Sequence, residues 1–132
     1  MTLAFDTHTL LWWVTGTGRL SKAQLSAIDR AERRGEPVGV PAICFWEIAK
    51  LAERGRIELD LPLDDFFEEI EEHPSIRLLE LTPRVALESI RLGAAFPGDP
   101  ADQLITATAR IHGLKLITAD ERIRSSRGVG VI

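Results

Sequence analysis

The stretch that most constrains this chain runs from Gly98 to Asp120 and reads GDPADQLITATARIHGLKLITAD. Its punctuation divides it into a loop, an amphipathic helix, a tight turn, a short apolar strand and a second loop. Asp99 suits an N-cap, and Pro100 suits the first helical position, where a missing N–H leaves nothing unsatisfied. Leu104, Ile105, Ala107, Thr108, Ala109 and Ile111 recur at helical spacing. Gly113 follows His112 at the place where helices close on a left-handed residue. Leu114 to Thr118 is apolar and too short for a helix, so it reads as a buried strand. A helix leading into such a strand is a unit of a parallel α/β fold, and in that class the loops at the carboxyl edge of the sheet carry the site. Asp99 and Asp102 stand before this helix and Asp120 just after the strand, so both ends of the segment supply acids to that edge.

The rest of the chain repeats the alternation. Leu3 to Phe5 is a short strand ended by Asp6. Thr7 to Val14 reads as a helix capped by Asp6 or Thr7, apolar nearly all round, which places Trp12 and Trp13 in the core rather than stacked on bases. Ser21 opens a second helix with Leu25, Ile28 and Ala31 as its stripe, stopped by Gly35 and Pro37. Val38 to Val40 is a strand. Pro41 to Gly55 is a helix interrupted by one charge, Glu47. Glu47 is either a solvated partner of Lys50 at i, i+3 or an acid placed to reach the carboxyl edge of the sheet. Arg56 to Leu61 reads as an extended link, and Leu61 to Pro74 holds a helix with Leu63, Phe66, Phe67 and Ile70 inward and its acids solvated. Ile76 to Leu81 is a strand. Pro83 to Ala95 is a helix with Val85, Leu87, Ile90 and Leu92 inward. A short helix, ERIRSS, follows Asp120, and Val129 to Ile132 is a last strand. Such alternation gives an α/β fold, a mostly parallel sheet with helices on both faces, and residues 1–132 form one domain.

Composition sets bounds on function. Apolar residues make up 45% of 132, enough for a core. The 20 acids and 16 bases leave a net charge of −4, which argues against a nucleic-acid partner only while the acids are taken as dispersed. Cys44 is the sole cysteine, so no intramolecular disulfide forms, in keeping with a reducing cytoplasm. The first apolar stretch lacks a basic n-region and is interrupted by Asp6 and His8, so it reads as a poor signal peptide. No apolar run approaches the roughly 18 residues of a membrane span.

On this topology Asp6, Glu47, Asp102 and Asp120 converge at one edge. Two like charges about 4 Å apart repel by on the order of 1 kcal/mol in water and about 4 kcal/mol near a protein surface, so such a cluster calls for a divalent cation. An all-oxygen donor set favours Mg²⁺ or Mn²⁺ over zinc, and these ions activate water and stabilise charge on a phosphodiester. His8, His73 and His112 show no metal-ligand spacing and read as structural or solvated. Arg122, Arg124 and Arg127 read as a solvated face, with contact to RNA phosphates as the alternative. No nucleophile elbow, dinucleotide turn or phosphate-cradling loop is present in the sequence.

FDTHTLLWW, AICFWEIAKLAERGRI and GDPADQLITATARIHGLKLITAD, in this order, resemble the PIN-domain ribonucleases, in particular the VapC toxins of toxin–antitoxin pairs. The resemblance implies a three-layer α/β/α sandwich and an Mg²⁺- or Mn²⁺-dependent endoribonuclease. It also implies a homodimer, a cognate antitoxin and an RNA substrate. Carried over by motif, the metal ligands are Asp6, Glu47, Asp102 and Asp120. Asp99 matches the GDPAD form too, but capping accounts for it alone. Thr7 and Thr118 flank these acids and either orient them or make a local cap or turn. The chain departs from the pattern at Pro41 and Cys44, where relatives often carry a small hydroxyl residue. Two other readings compete: an inactive PIN module that binds RNA or protein, and a phospho-acceptor receiver. A receiver needs a lysine at the end of a late strand, where this chain has Ile117 and Thr118, with Lys115 inside the strand.

Overall fold

The structure is a computed structural model that describes residues 1–132 apart from Ala95, Pro97, Gly98 and Arg127. Its elements are β1 (Leu3–Phe5), α1 (Thr7–Thr15), α2 (Lys22–Arg33), β2 (Val38–Pro41), α3 (Ile43–Glu53), α4 (Leu63–Glu72), β3 (Ile76–Leu79), α5 (Pro83–Arg91), α6 (Pro100–Ile111), β4 (Lys115–Ile117) and α7 (Glu121–Arg124). The strands form one sheet in the order β3-β2-β1-β4, with every pairing parallel. Every residue of β1 and β2 is buried. Side chains alternate between faces along a strand, so burial without alternation means that helices cover both faces. The expected three-layer α/β/α sandwich is what forms. β1 leads to β2 on one side and pairs with β4 on the other, so strand order reverses at β1, and such a switch point opens a crevice beyond the carboxyl ends of the strands.

Sheet packing depends on small residues in the middle strands. A Cβ built on Gly39 would stand 2.6 Å from Leu79 Cδ1 and 3.4 Å from Leu114 Cδ1. Glycine there lets the flanking leucines close over the sheet, with Ala4 opposite it on β1.

Several boundaries differ from those expected. Ala42 N donates to Leu79 O at 2.8 Å, so strand pairing extends past Pro41 and α3 starts at Ile43. Gly93, at φ +78°, follows the end of α5, which closes at Arg91; Ala95, the expected end, lies outside the described residues. Val129 to Ile132 is not a full strand. It makes one parallel bridge, Leu116 to Val131, with Gly130, a poor strand former, inside the run.

Two inward faces also shift. In α2 the buried residues are Gln24, Ala27, Ile28 and Ala31, while Leu25 is 46% exposed. The Gln24 amide turns the helix this way by donating to Thr118 O at 3.1 Å and Ile132 O at 3.0 Å. In α5 only Val85 is buried; Leu87 and Ile90 stand outward at 54% and 76% exposure.

Candidate active site

Asp6 follows the last residue of the central strand. Its Oδ1 accepts from Thr9 N at 2.9 Å and from Thr9 Oγ1 at 2.8 Å, while Asp6 N donates back to Thr9 Oγ1 at 3.2 Å. This is a capping box, and it fixes the carboxylate at the start of α1. Thr9 also lies 2.7 Å from Ile117 O, which ties the box to β4. Burial pushes the Asp6 carboxyl above its usual range, opposed by hydrogen bonds from Thr118 and Thr9 and by nearby His8.

Glu47 does not pair with Lys50, whose partner is Glu53 at 3.9 Å. It accepts a short hydrogen bond from the Thr7 hydroxyl, across from α3 to the first residue of α1. Burial raises its pKa as well; the Thr7 bond opposes this, and Asp99 adds to it.

Asp102 lies in the first turn of α6, above the cap made by Asp99. Asp99 Oδ1 accepts from Ala101 N at 2.9 Å and from Asp102 N at 3.2 Å. Asp102 is pushed up to about 7, first by burial and then by the neighbouring charges of Asp99, Asp120 and Glu47, with Arg122 opposing. Asp120 caps α7 through Arg122 N at 2.9 Å. Burial raises its pKa, but the hydrogen bonds from Arg122 outweigh this, and the net direction is down. Thr118 is buried, and its hydroxyl accepts from Asp120 N at 3.1 Å. Thr7 and Thr118 therefore orient carboxylates, and Thr118 makes the local turn too.

These elements converge on one cleft of about 320 Å³ whose walls include Asp6, Glu47, Asp99, Asp102 and Asp120. Glu47 is on the same side as the three aspartates, as the ligand set implied by the resemblance requires. The donor set, all oxygen, fits a hard divalent cation. As the side chains are turned, no group of three or more His, Cys, Asp or Glu among the described residues is disposed to hold an ion. The reason is visible in their partners. Asp6 is taken up by Thr9 and Glu47 by Thr7. Asp102 and Asp120 share Arg122, whose Nη2 lies 3.5 Å from Asp102 Oδ2 and 3.3 Å from Asp120 Oδ2.

Four participants were not legible as such. Thr9 had a signal, the Asp-x-x-Thr spacing of a capping box. Arg122, read as a solvated face, bridges two acids. His8, read as structural or solvated, lines the cleft, and so does Trp12. Both tryptophans pack against the core as expected, but Trp13 stacks on Phe5 with ring centroids 5.3 Å apart, whereas Trp12 also lines the cleft and carries the Arg19 guanidinium 4.8 Å from its ring centre. Arg124 is spent on Thr118 O at 2.9 Å, and Arg127 lies outside the described residues. Cys44 is buried, and burial pushes its thiol far up, so it is inert. Lys115 is exposed at the start of β4 and lines a different cleft, with Thr2 and Gly113, which removes the receiver reading.

The model of the PIN domain family matches residues 3–128. The chain belongs to the PIN domain family. This PIN domain is 42% identical over 126 residues to Ribonuclease VapC22 of Mycobacterium tuberculosis (strain ATCC 25618 / H37Rv), a match covering 96% of this chain and 92% of that one. Its fold is similar to that in the crystal structure of DNA-bound VapBC from Salmonella typhimurium, with a TM-score of 0.72, 17% identity and coverage of 100% of this chain and 97% of that one. It is also similar to FitAcB from Neisseria gonorrhoeae, with a TM-score of 0.65, 20% identity and coverage of 99% and 96%.

Proposed function

We propose that this PIN domain is a divalent-metal-dependent endoribonuclease, the toxin of a toxin–antitoxin pair, with Asp6, Glu47, Asp102 and Asp120 holding Mg²⁺ or Mn²⁺. The observation that carries the reading is the convergence of these carboxylates, from just past β1 and β4, the second turn of α3 and the first turn of α6, on one cleft at the switch point. The 42%-identical relative is named a ribonuclease, which supports RNA as substrate. The similar VapBC and toxin–antitoxin structures support a protein antitoxin as partner.

A bound hard cation would neutralise the cluster, activate water and share the charge of a phosphodiester in transit. The chain's own residues prepare for it. Thr9 and Thr118 hold Asp6, and Thr7 holds Glu47, each leaving carboxylate lone pairs for a further partner. Asp6, Glu47 and Asp102 are all held above the usual carboxylate range by burial, so a cation would bind them by displacing protons as well as by charge. Arg122 must release Asp102 and Asp120, which frees both for the cation and a guanidinium for a phosphate. Asp99 remains the cap of α6 and an electrostatic neighbour of Asp102; it is the weaker candidate as a ligand.

We read residues 1–132 as a single PIN domain on one continuous core. The outward Leu87 and Ile90 of α5 support a homodimer, because large apolar side chains at i, i+3 want cover. Among the described residues no helix is long and apolar enough to cross a membrane. An RNA substrate and a free thiol favour the cytoplasm.

The test is Asp6→Asn and Asp102→Asn. Each is expected to lose RNA cleavage and growth inhibition by at least about 100-fold, while circular dichroism shows an intact fold. Metal-dependent cleavage surviving undiminished in both would refute the assignment.

A further inference from the structure

The acid cleft adjoins two further grooves, which also meet each other at Leu51. On one flank it shares His8 and Trp12 with a groove of about 440 Å³ that also carries Arg19 and Arg56. On the other it shares Glu47 and Asp99 with a groove of about 250 Å³ lined by Trp46, Lys50 and Arg54. Each flank thus presents a tryptophan with a cation over its ring: Arg19 at 4.8 Å on Trp12 and Lys50 at 5.7 Å on Trp46. Trp46 is 56% exposed and contributes little to the core. Arg19, Arg54 and Arg56 form no ion pair among the described residues. Glu58 is the one acid lining the first flanking groove.

We propose that a single RNA strand crosses all three clefts, with the nucleotides on either side of the cut stacked against Trp12 and Trp46 and their phosphates held by Arg19, Arg56, Lys50 and Arg54. The proposal deepens the endoribonuclease reading and rests on it. A polyanion approaching five acids is repelled until cations outside the acid cleft hold it. A chain of net charge −4 cannot do this by its overall field, so local charge must. Stacking platforms beside cations are how single strands are held without regard to sequence, since every base has a flat face. Of the four cations only Lys50 has an acid partner among the described residues, Glu53 at 3.9 Å. Because each groove shares residues with the acid cleft, a strand that uses both platforms is brought against the carboxylates.

The test is fluorescence anisotropy of the full chain in Mn²⁺ with a 2′-O-methyl RNA of about ten nucleotides, the strand checked intact by gel. Trp12→Leu and Trp46→Leu are each expected to weaken binding roughly tenfold, and Trp12→Phe and Trp46→Phe to restore most of it. Arg19→Ala and Lys50→Ala are expected to lower the slope of log affinity against log salt by about 0.7 each. Mn²⁺ titration of the Trp46, Arg19 and Lys50 variants without RNA should be unchanged, which separates the track from the acid cleft and reports that these variants are folded. A native chain that binds no RNA would sink the endoribonuclease reading and the track with it. Native binding that Trp12→Leu, Trp46→Leu, Arg19→Ala and Lys50→Ala all retain would overturn the track alone. So would variants that keep RNA but lose a co-expressed antitoxin, since the grooves would then belong to the protein partner.

Discussion

Arg122 is the residue on which the acid cluster turns. Its guanidinium stands across Asp102 and Asp120, where it supplies the positive charge that the carboxylates need when no metal is present. On the proposed ligand set, a metal and the arginine would compete for the same oxygens. Arg122→Ala is expected to tighten Mn²⁺ binding several-fold in calorimetric titration, while raising the repulsion within the metal-free cluster. Weaker Mn²⁺ binding in the variant would mean that Arg122 holds the acids in position instead. Asp102 gives a second test. Its ordinary value is 3.8 and its folded value about 7, so between those limits the folded state binds more protons than the unfolded one. This group's share of stability is therefore full near pH 4 and is lost as pH rises through 7. In EDTA, Asp102→Asn should melt above the native protein at pH 8, and the gap should close toward pH 4. A saturating divalent ion should close it at pH 8 as well, by lifting the native protein. A gap that does not change with pH would count against the shift.

At the scale of elements, β2 shows how tightly the sheet is fitted. Gly39→Ala puts a methyl against Leu79 in a buried layer, and about 1–3 kcal/mol of stability should be lost in urea melts. A change under about 0.5 kcal/mol would show that Leu79 gives way freely. Strand and helix order was legible because each strand is a short apolar run closed by a turn residue and each helix has an amphipathic or capped start. What was not legible is informative. Leu25 continued a good stripe, but two hydrogen bonds from Gln24 to strand ends outweigh one leucine in setting the roll of α2. Leu87 and Ile90 matched an inward period that nothing in the fold covers. The acids of the site could be placed because a strand end and a helix start are points the alternation fixes. Arg122 and Trp12 could not be, because the sequence does not tell which way an exposed arginine or a helix-borne tryptophan turns.

The whole molecule leaves α5 as its most apolar exposed helix face. If that face is the seam of a homodimer, Ile90→Glu should give the mass of one chain in analytical ultracentrifugation at concentrations where the native protein gives two, because a charge buried there without a partner is costly. Equal masses for both would move the seam elsewhere or remove it. Net charge read over the whole chain was a poor guide here. The acids that make it negative are concentrated in one cleft and in α4, and the grooves beside that cleft carry arginines and a lysine.

β1 is the first strand made and β4 the last, yet they lie side by side, and Thr9 reaches a carbonyl 108 residues further on. While the chain is still emerging from the ribosome, Asp6 and Glu47 exist without Asp120 or the strand that positions it. An unfinished copy therefore has only part of the acid cleft, and the proposed chemistry has to wait for the strand that brings Asp120 to it.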